Sequence, residues 1–188
     1  MNIGVFCASS LPLEGGIVPA ANDLGTWIAR QGHTLVYGGS NLGLMGCVSS
    51  AALAEGGHVI GVIPTLFSEE VIVSQPVTEL VRVRSMAERK ERIIALCDLF
   101  VALPGGIGTI DEISEVMVFN QLNMVIDKVP HASRRQKPML LLNTGGYYDA
   151  FIAQVARSRQ AGLLRADCGL HSYATLDDLI SAIPCLTC

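Results

Sequence analysis

Short apolar runs recur along the chain at Ile3 to Cys7, Thr34 to Tyr37, His58 to Ile63, Glu79 to Val83, Leu99 to Ala102 and Met139 to Leu142. Runs this short, apolar at successive positions, suit strands buried on both faces. Helical periodicity separates most of them, over Gly16 to Gln31, Leu44 to Glu55, Met86 to Cys97, Ile110 to Leu122 and Tyr147 to Ala161, with a last helix from Thr175 to Ile183. Strand and helix in alternation bury their apolar faces together as a parallel sheet with crossover helices. The expectation is therefore an α/β fold, a doubly wound, Rossmann-like, mostly parallel sheet with helices on both faces. The 188 residues support one domain, placed at 1–183 with a tail at 184–188, and carry no internal repeat or low-complexity segment.

The run Leu103-Pro104-Gly105-Gly106-Ile107-Gly108-Thr109-Ile110-Asp111-Glu112 follows one such strand directly. Glycines at a strand end let backbone approach a ligand closely, and the helix that follows presents free N–H groups and the positive end of its dipole. A phosphate is the natural guest. The spacing is not Walker A, since no Gly-Lys-Ser/Thr follows, and it lacks the dinucleotide G-x-G-x-x-G pattern. Thr109-x-x-Glu112 also reads as a capping box, in which the glutamate satisfies backbone donors.

Capping leaves Glu115 unexplained. On a helical wheel Ile110, Ile113, Val116, Met117, Val118, Phe119 and Leu122 cover nearly the whole circumference, with Glu112 and Glu115 on either side of Phe119. A helix apolar all round is buried, and two carboxylates three residues apart on it repel each other unless a cation, a hydroxyl-rich substrate or water compensates them.

Upstream, Ser85-x-x-Glu88 forms a second capping box and opens a helix whose apolar arc is Met86, Ile93, Ile94, Leu96 and Cys97. Arg89 and Lys90 fall inside that arc. Lys90 can snorkel to water along its stem, whereas a buried guanidinium needs acceptors, and its fork matches carboxylate or phosphate.

Met86-x-x-Arg89-Lys90 followed by Pro104-Gly-Gly-x-Gly-Thr-x-x-Glu112 resembles the paired signature of the LOG (Lonely Guy) family of cytokinin-activating phosphoribohydrolases. Similar stretches are Val5 to Ser10, Val36 to Gly46, Val59 to Pro64 and Leu142 to Tyr148, so the resemblance covers residues 2 to 180. It implies hydrolysis of the N-glycosidic bond of adenosine 5′-monophosphate or its N6-modified forms, giving free base and ribose 5-phosphate. It further implies Arg89 and Glu112 as the catalytic pair, with the nucleotide contacted by Met86, Lys90 and the segment Gly105, Gly106, Ile107, Gly108 and Thr109. Glu115 assists through the ribose hydroxyls, and the turn containing Gly39 forms a ligand wall. Ser9, after the first strand, is a neighbour of adenine or ribose, because ligands of open α/β sheets collect beyond the strands' carboxyl ends. Chemically, a carboxylate at Glu112 can stabilise the positive charge that develops on the sugar and orient water. Arg89 can hold Glu112 ionised, or contact phosphate or the leaving base. The resemblance also implies a homodimer formed around the helix after Glu112.

A net charge of −4 and a pI of about 5.5 argue against nucleic acid as a partner. Cys7, Cys47, Cys97, Cys168, Cys185 and Cys188 are scattered without a secretory context and read as reduced thiols, and Cys185-x-x-Cys188 lacks the second pair a zinc site needs. His33, His58, His131 and His171 do not cluster. No metal or cofactor is expected. No apolar stretch reaches a membrane span and no leader pattern opens the chain, so a cytoplasmic enzyme is expected. The basic stretch 128–136 exceeds the usual family connection, as a surface insertion or a phosphate-touching lid. Glu69 and Glu70 are candidates for the family's substrate-side glutamate. The alternative is a non-catalytic nucleotide- or molybdenum-cofactor-binding protein of the same fold. A lysine decarboxylase is less favoured, because no lysine sits in a pyridoxal phosphate context.

Overall fold

The computed structural model describes residues 1–12, 16–67, 77–125, 136–164 and 166–186. Strands β1 (Asn2–Phe6), β2 (Thr34–Tyr37), β3 (His58–Pro64), β4 (Glu79–Val83), β5 (Leu99–Ala102), β6 (Met139–Leu142) and β7 (Leu170–Tyr173) form one sheet. Their order is β4-β3-β2-β1-β5-β6-β7, and every neighbouring pair is parallel. The helices are α1 (Ile17–Arg30), α2 (Gly43–Ala54), α3 (Met86–Leu96), α4 (Ile107–Val125), α5 (Asp149–Gln160) and α6 (Leu176–Leu186).

Apolar residues alternate between the two faces of the central strands. Leu35, Leu99, Val101 and Leu140 join a core beneath α1, α2 and α6 that includes Leu24, Val48 and Ile183. Val36, Phe100, Ala102 and Leu141 join a second core beneath α3, α4 and α5, with Ile93 and Ile113. All of these are buried, which is why the central strands read as continuous apolar runs.

Strand β7 was not expected. Its sequence Leu-His-Ser-Tyr carries no apolar run because it is an edge strand whose residues are only partly covered, paired to β6 alone. Helix α4 begins at Ile107, not Ile110, and α6 extends past Ile183 to Leu186 with Pro184 inside it. A 3-10 turn at Thr144–Gly146 precedes α5, which starts at Asp149 rather than Tyr147. The insertion at 128–135, Glu69, Glu70, His131 and Cys188 lie outside the described residues.

In this order β1 is flanked by β2 and β5, and the chain winds in opposite directions on its two sides. A crevice opens at the carboxyl ends of β1 and β5, the position where open α/β sheets bind ligands. The turn after β2 closes one wall: Leu44 N donates to Ala8 O at 3.1 Å. Gly43, at φ 57°, lies so close to the Ser9–Ser10 backbone that a side chain there would collide with it.

Candidate active site

A cavity of about 470 Å³ occupies this crevice. Its polar lining comprises Ser9 and Ser10 after β1, Ser40 after β2, Gly106, Gly108, Thr109, Asp111 and Glu112 at the start of α4, and Arg89 from α3. Leu42, Met45, Ile63, Phe67 and Met86 form its apolar lining.

The two expected catalytic residues meet here. Arg89 Nη1 lies 3.0 Å from Glu112 Oε1, with both side chains about nine-tenths buried. Arg89 Nε donates to the carbonyl of Val62 on β3 at 3.2 Å. Gly38, at the end of β2, gives the guanidinium its space, since a Cβ there would overlap it. Burial pushes the Glu112 carboxyl above its ordinary range; Arg89 opposes this, Asp111 adds to it, and Lys90 opposes it. Cys7 also lines the cavity, but burial, then Glu112, raises its thiol far above neutrality, so it offers no thiolate nucleophile.

Lys90 does not snorkel to free solvent. Its Nζ lies 2.9 Å from Glu115 Oε2 and 3.0 Å from Asp111 Oδ2, and the bond to Glu115 is the main cause of its raised pKa. The carboxylates of α4 are thus compensated by cations of α3: Arg89 takes Glu112, and Lys90 takes Asp111 and Glu115. Among the described residues, Lys90 and Glu115 do not belong to the cavity lining.

The glycine segment opens α4 without the expected capping box. The Gly106 carbonyl accepts from Thr109 N at 3.0 Å and Ile110 N at 3.1 Å, so Thr109 already lies in the first turn and Glu112 is released to Arg89. Backbone N–H groups at such a helix start have no intrahelical acceptor and provide an anion site. Gly105 packs against Thr109 and Ala8, and Gly39 against Ile63 and Val62, both behind the lining; Ile107 is exposed. The other capping box is formed on one side only: Glu88 N donates to Ser85 Oγ at 3.1 Å, while Glu88 Oε2 accepts from Arg84 N at 2.9 Å.

Sequence reasoning missed Ile63 and Phe67, whose apolar character gives the same signal in a core strand as in a ligand wall. Asp111 was missed too. Its place between the glycines and Glu112 was the available clue.

A family model described as "Possible lysine decarboxylase" matches residues 45–182. Cytokinin riboside 5′-monophosphate phosphoribohydrolase LOG1 of Arabidopsis thaliana is 37% identical over 162 residues, covering 86% of this chain and 71% of that protein. The chain belongs to the LOG family. The LOG protein of Oryza sativa subsp. japonica is 38% identical over 165 residues, or 88% of this chain, which spans 64% of that relative's length. Among solved structures, the molybdenum cofactor carrier protein of Chlamydomonas reinhardtii superposes with a TM-score of 0.69 at 26% identity, covering 98% of this chain and 96% of that one. Arg89, Lys90 and the Gly105 to Glu115 segment fall inside the stretch matched by that family model, whereas Ser9 and Gly39 precede it.

Proposed function

We propose that the protein is a phosphoribohydrolase that cleaves the N-glycosidic bond of adenosine 5′-monophosphate and N6-modified relatives, releasing free base and ribose 5-phosphate. The observation that carries this reading is a buried carboxylate, Glu112, held by Arg89 beside the N-terminus of α4. Phosphate at Gly106, Gly108 and Thr109 brings the attached ribose within reach of Glu112, and the apolar lining from Leu42 to Met86 suits a purine. As the C1′–N9 bond breaks, the sugar becomes cationic and the anionic Glu112 stabilises it. Water adds to C1′, and its proton leaves with the base. Arg89 keeps Glu112 ionised against burial.

Ser9 is proposed as a ribose or adenine contact. Met86 contacts the base, Gly39 and Gly105 shape the walls, and Ile107 completes the first turn. Lys90 and Glu115 act one step back from the ligand. The unpaired thiols of Cys7, Cys47, Cys97, Cys168 and Cys185 suit the reducing cytoplasm.

A homodimer completes the assembly. Val118 and Leu122 on α4 are about half exposed and, with Ile94, Ala95 and Phe119, line an apolar groove between α3 and α4. A second copy of α4 is its proposed occupant.

The likeness to a molybdenum cofactor carrier supports a second, non-catalytic reading. The carboxylate of Glu112 favours the enzyme, because a site that only stores an anion gains nothing from a negative side chain in its wall. Decarboxylation by a lysine-bound cofactor fits less well, since the described lining contains no lysine. Incubation with AMP and with isopentenyladenosine monophosphate, followed by chromatography of adenine and modified adenine, decides between them. Base release from either is expected; none from both overturns the enzymatic reading.

A further inference from the structure

The run Asn143-Thr144-Gly145-Gly146-Tyr147-Tyr148 has no role in the chemistry above, yet both of its tyrosines reach the glycine segment. Tyr147 Oη donates to the carbonyl of Gly105 at 2.8 Å, and Tyr148 Oη donates to the carbonyl of Leu103 at 2.6 Å. Their rings meet edge to face at 5.1 Å. The turn that carries them is pinned: Tyr148 N donates to Asn143 Oδ1 at 2.6 Å, and Asn143 Nδ2 donates to Asp149 Oδ1 at 2.8 Å.

The two hydroxyl bonds have different consequences. The Leu103 carbonyl shares its peptide with the nitrogen of Pro104, which bears no hydrogen, so Tyr148 fixes the position of the loop and orients no donor. The Gly105 carbonyl shares its peptide with the N–H of Gly106. In a planar trans peptide these two groups point in opposite directions. Gly106 lines the cavity, and the carbonyl on the other side of that peptide is held outward by Tyr147. Glycine on both sides of the peptide leaves no Cβ to resist its rotation, so an external restraint is what sets its orientation.

We infer that Tyr147 is a positioning residue for the phosphate subsite, its hydroxyl locking the Gly105–Gly106 peptide with the Gly106 N–H directed at the substrate phosphate. The inference rests on the nucleotide reading of the cleft. Tyr147 is 50% exposed, so removing its hydroxyl alone leaves the core untouched.

The test compares wild type, Y147F and Y148F in calorimetric titrations with ribose 5-phosphate and with adenosine, which lacks the phosphate, alongside AMP kinetics and melting temperature. Y147F is expected to weaken ribose 5-phosphate binding and raise the KM for AMP by about fivefold, the worth of one oriented hydrogen bond. Its adenosine affinity, kcat and melting temperature stay at wild-type values. Y148F lowers the melting temperature without selectivity between the two ligands. Unchanged ribose 5-phosphate affinity in Y147F, or an equal fall for adenosine, overturns the inference and leaves hydrolysis standing. A wild-type protein that binds no ribose 5-phosphate overturns it together with the nucleotide reading.

Discussion

Arg89 and Glu112 form an ion pair at 3.0 Å although they belong to different helices on opposite sides of β5 in the sequence. Neither side chain is tolerable alone in so buried a place. A carboxylate there needs a cation, and a guanidinium needs acceptors, which the Val62 carbonyl and Glu112 provide.

Removing either partner should sharply slow base release while leaving a folded protein. R89M and E112Q are expected to lower kcat by at least about a hundredfold, the range for loss of a group that stabilises transition-state charge. R89M should also cost about 3 kcal/mol in urea unfolding, because the Glu112 charge loses its partner. Wild-type turnover in both variants would refute the assignment.

The pH dependence has opposite signs for stability and rate. Burial raises the folded-state carboxyl of Glu112 above its ordinary value of 4.5. Its contribution to stability is therefore complete below the unfolded value and is lost as pH rises through the raised folded value. Gln stays neutral throughout, so the melting temperature of E112Q should gain on wild type as pH rises from 4.5 through the raised folded value. The proposed mechanism needs the carboxylate, so the acid limb of kcat should lie above 4.5 and move higher in R89M. An acid limb at or below that value contradicts the mechanism.

Gly38 tests the clasp without touching either charge. A methyl group at this position overlaps the Arg89 guanidinium, so G38A should displace it and cut kcat by about tenfold or more, as small misplacements in active sites do. Circular dichroism should report an intact fold; full activity would mean that Arg89 has another productive position.

Val118 and Leu122 test assembly. V118D places a charge in the apolar groove, and light scattering coupled to size exclusion should then report a monomer where wild type elutes as a dimer. A monomeric wild type would remove the proposed interface.

The glycine segment and the unusual helix before it were legible because each breaks a simple pattern. Glycines end a strand where a core strand has no use for them, and Arg89 and Lys90 occupy an apolar arc. Other features gave no such contrast. The start of α4 read three residues late because Gly108 disfavours a helix, and the Gly106 carbonyl, invisible in sequence, offsets this. Strand β7 is polar and half covered. Tyr147 acts through a single hydroxyl on a carbonyl 42 residues away, a relationship set only by the adjacency of β5 and β6.

The sheet order has a consequence for how the molecule is made. β1 emerges from the ribosome long before β5, yet it lies between β2 and β5 in the finished sheet. Gly38 and Val62 come from one half of the winding and Glu112 from the other. An amino-terminal fragment ending before α4 carries Arg89 but lacks its partner Glu112. The Arg89–Glu112 pair therefore forms only once α4 is in place after β5, the strand that pairs with the edge of β1.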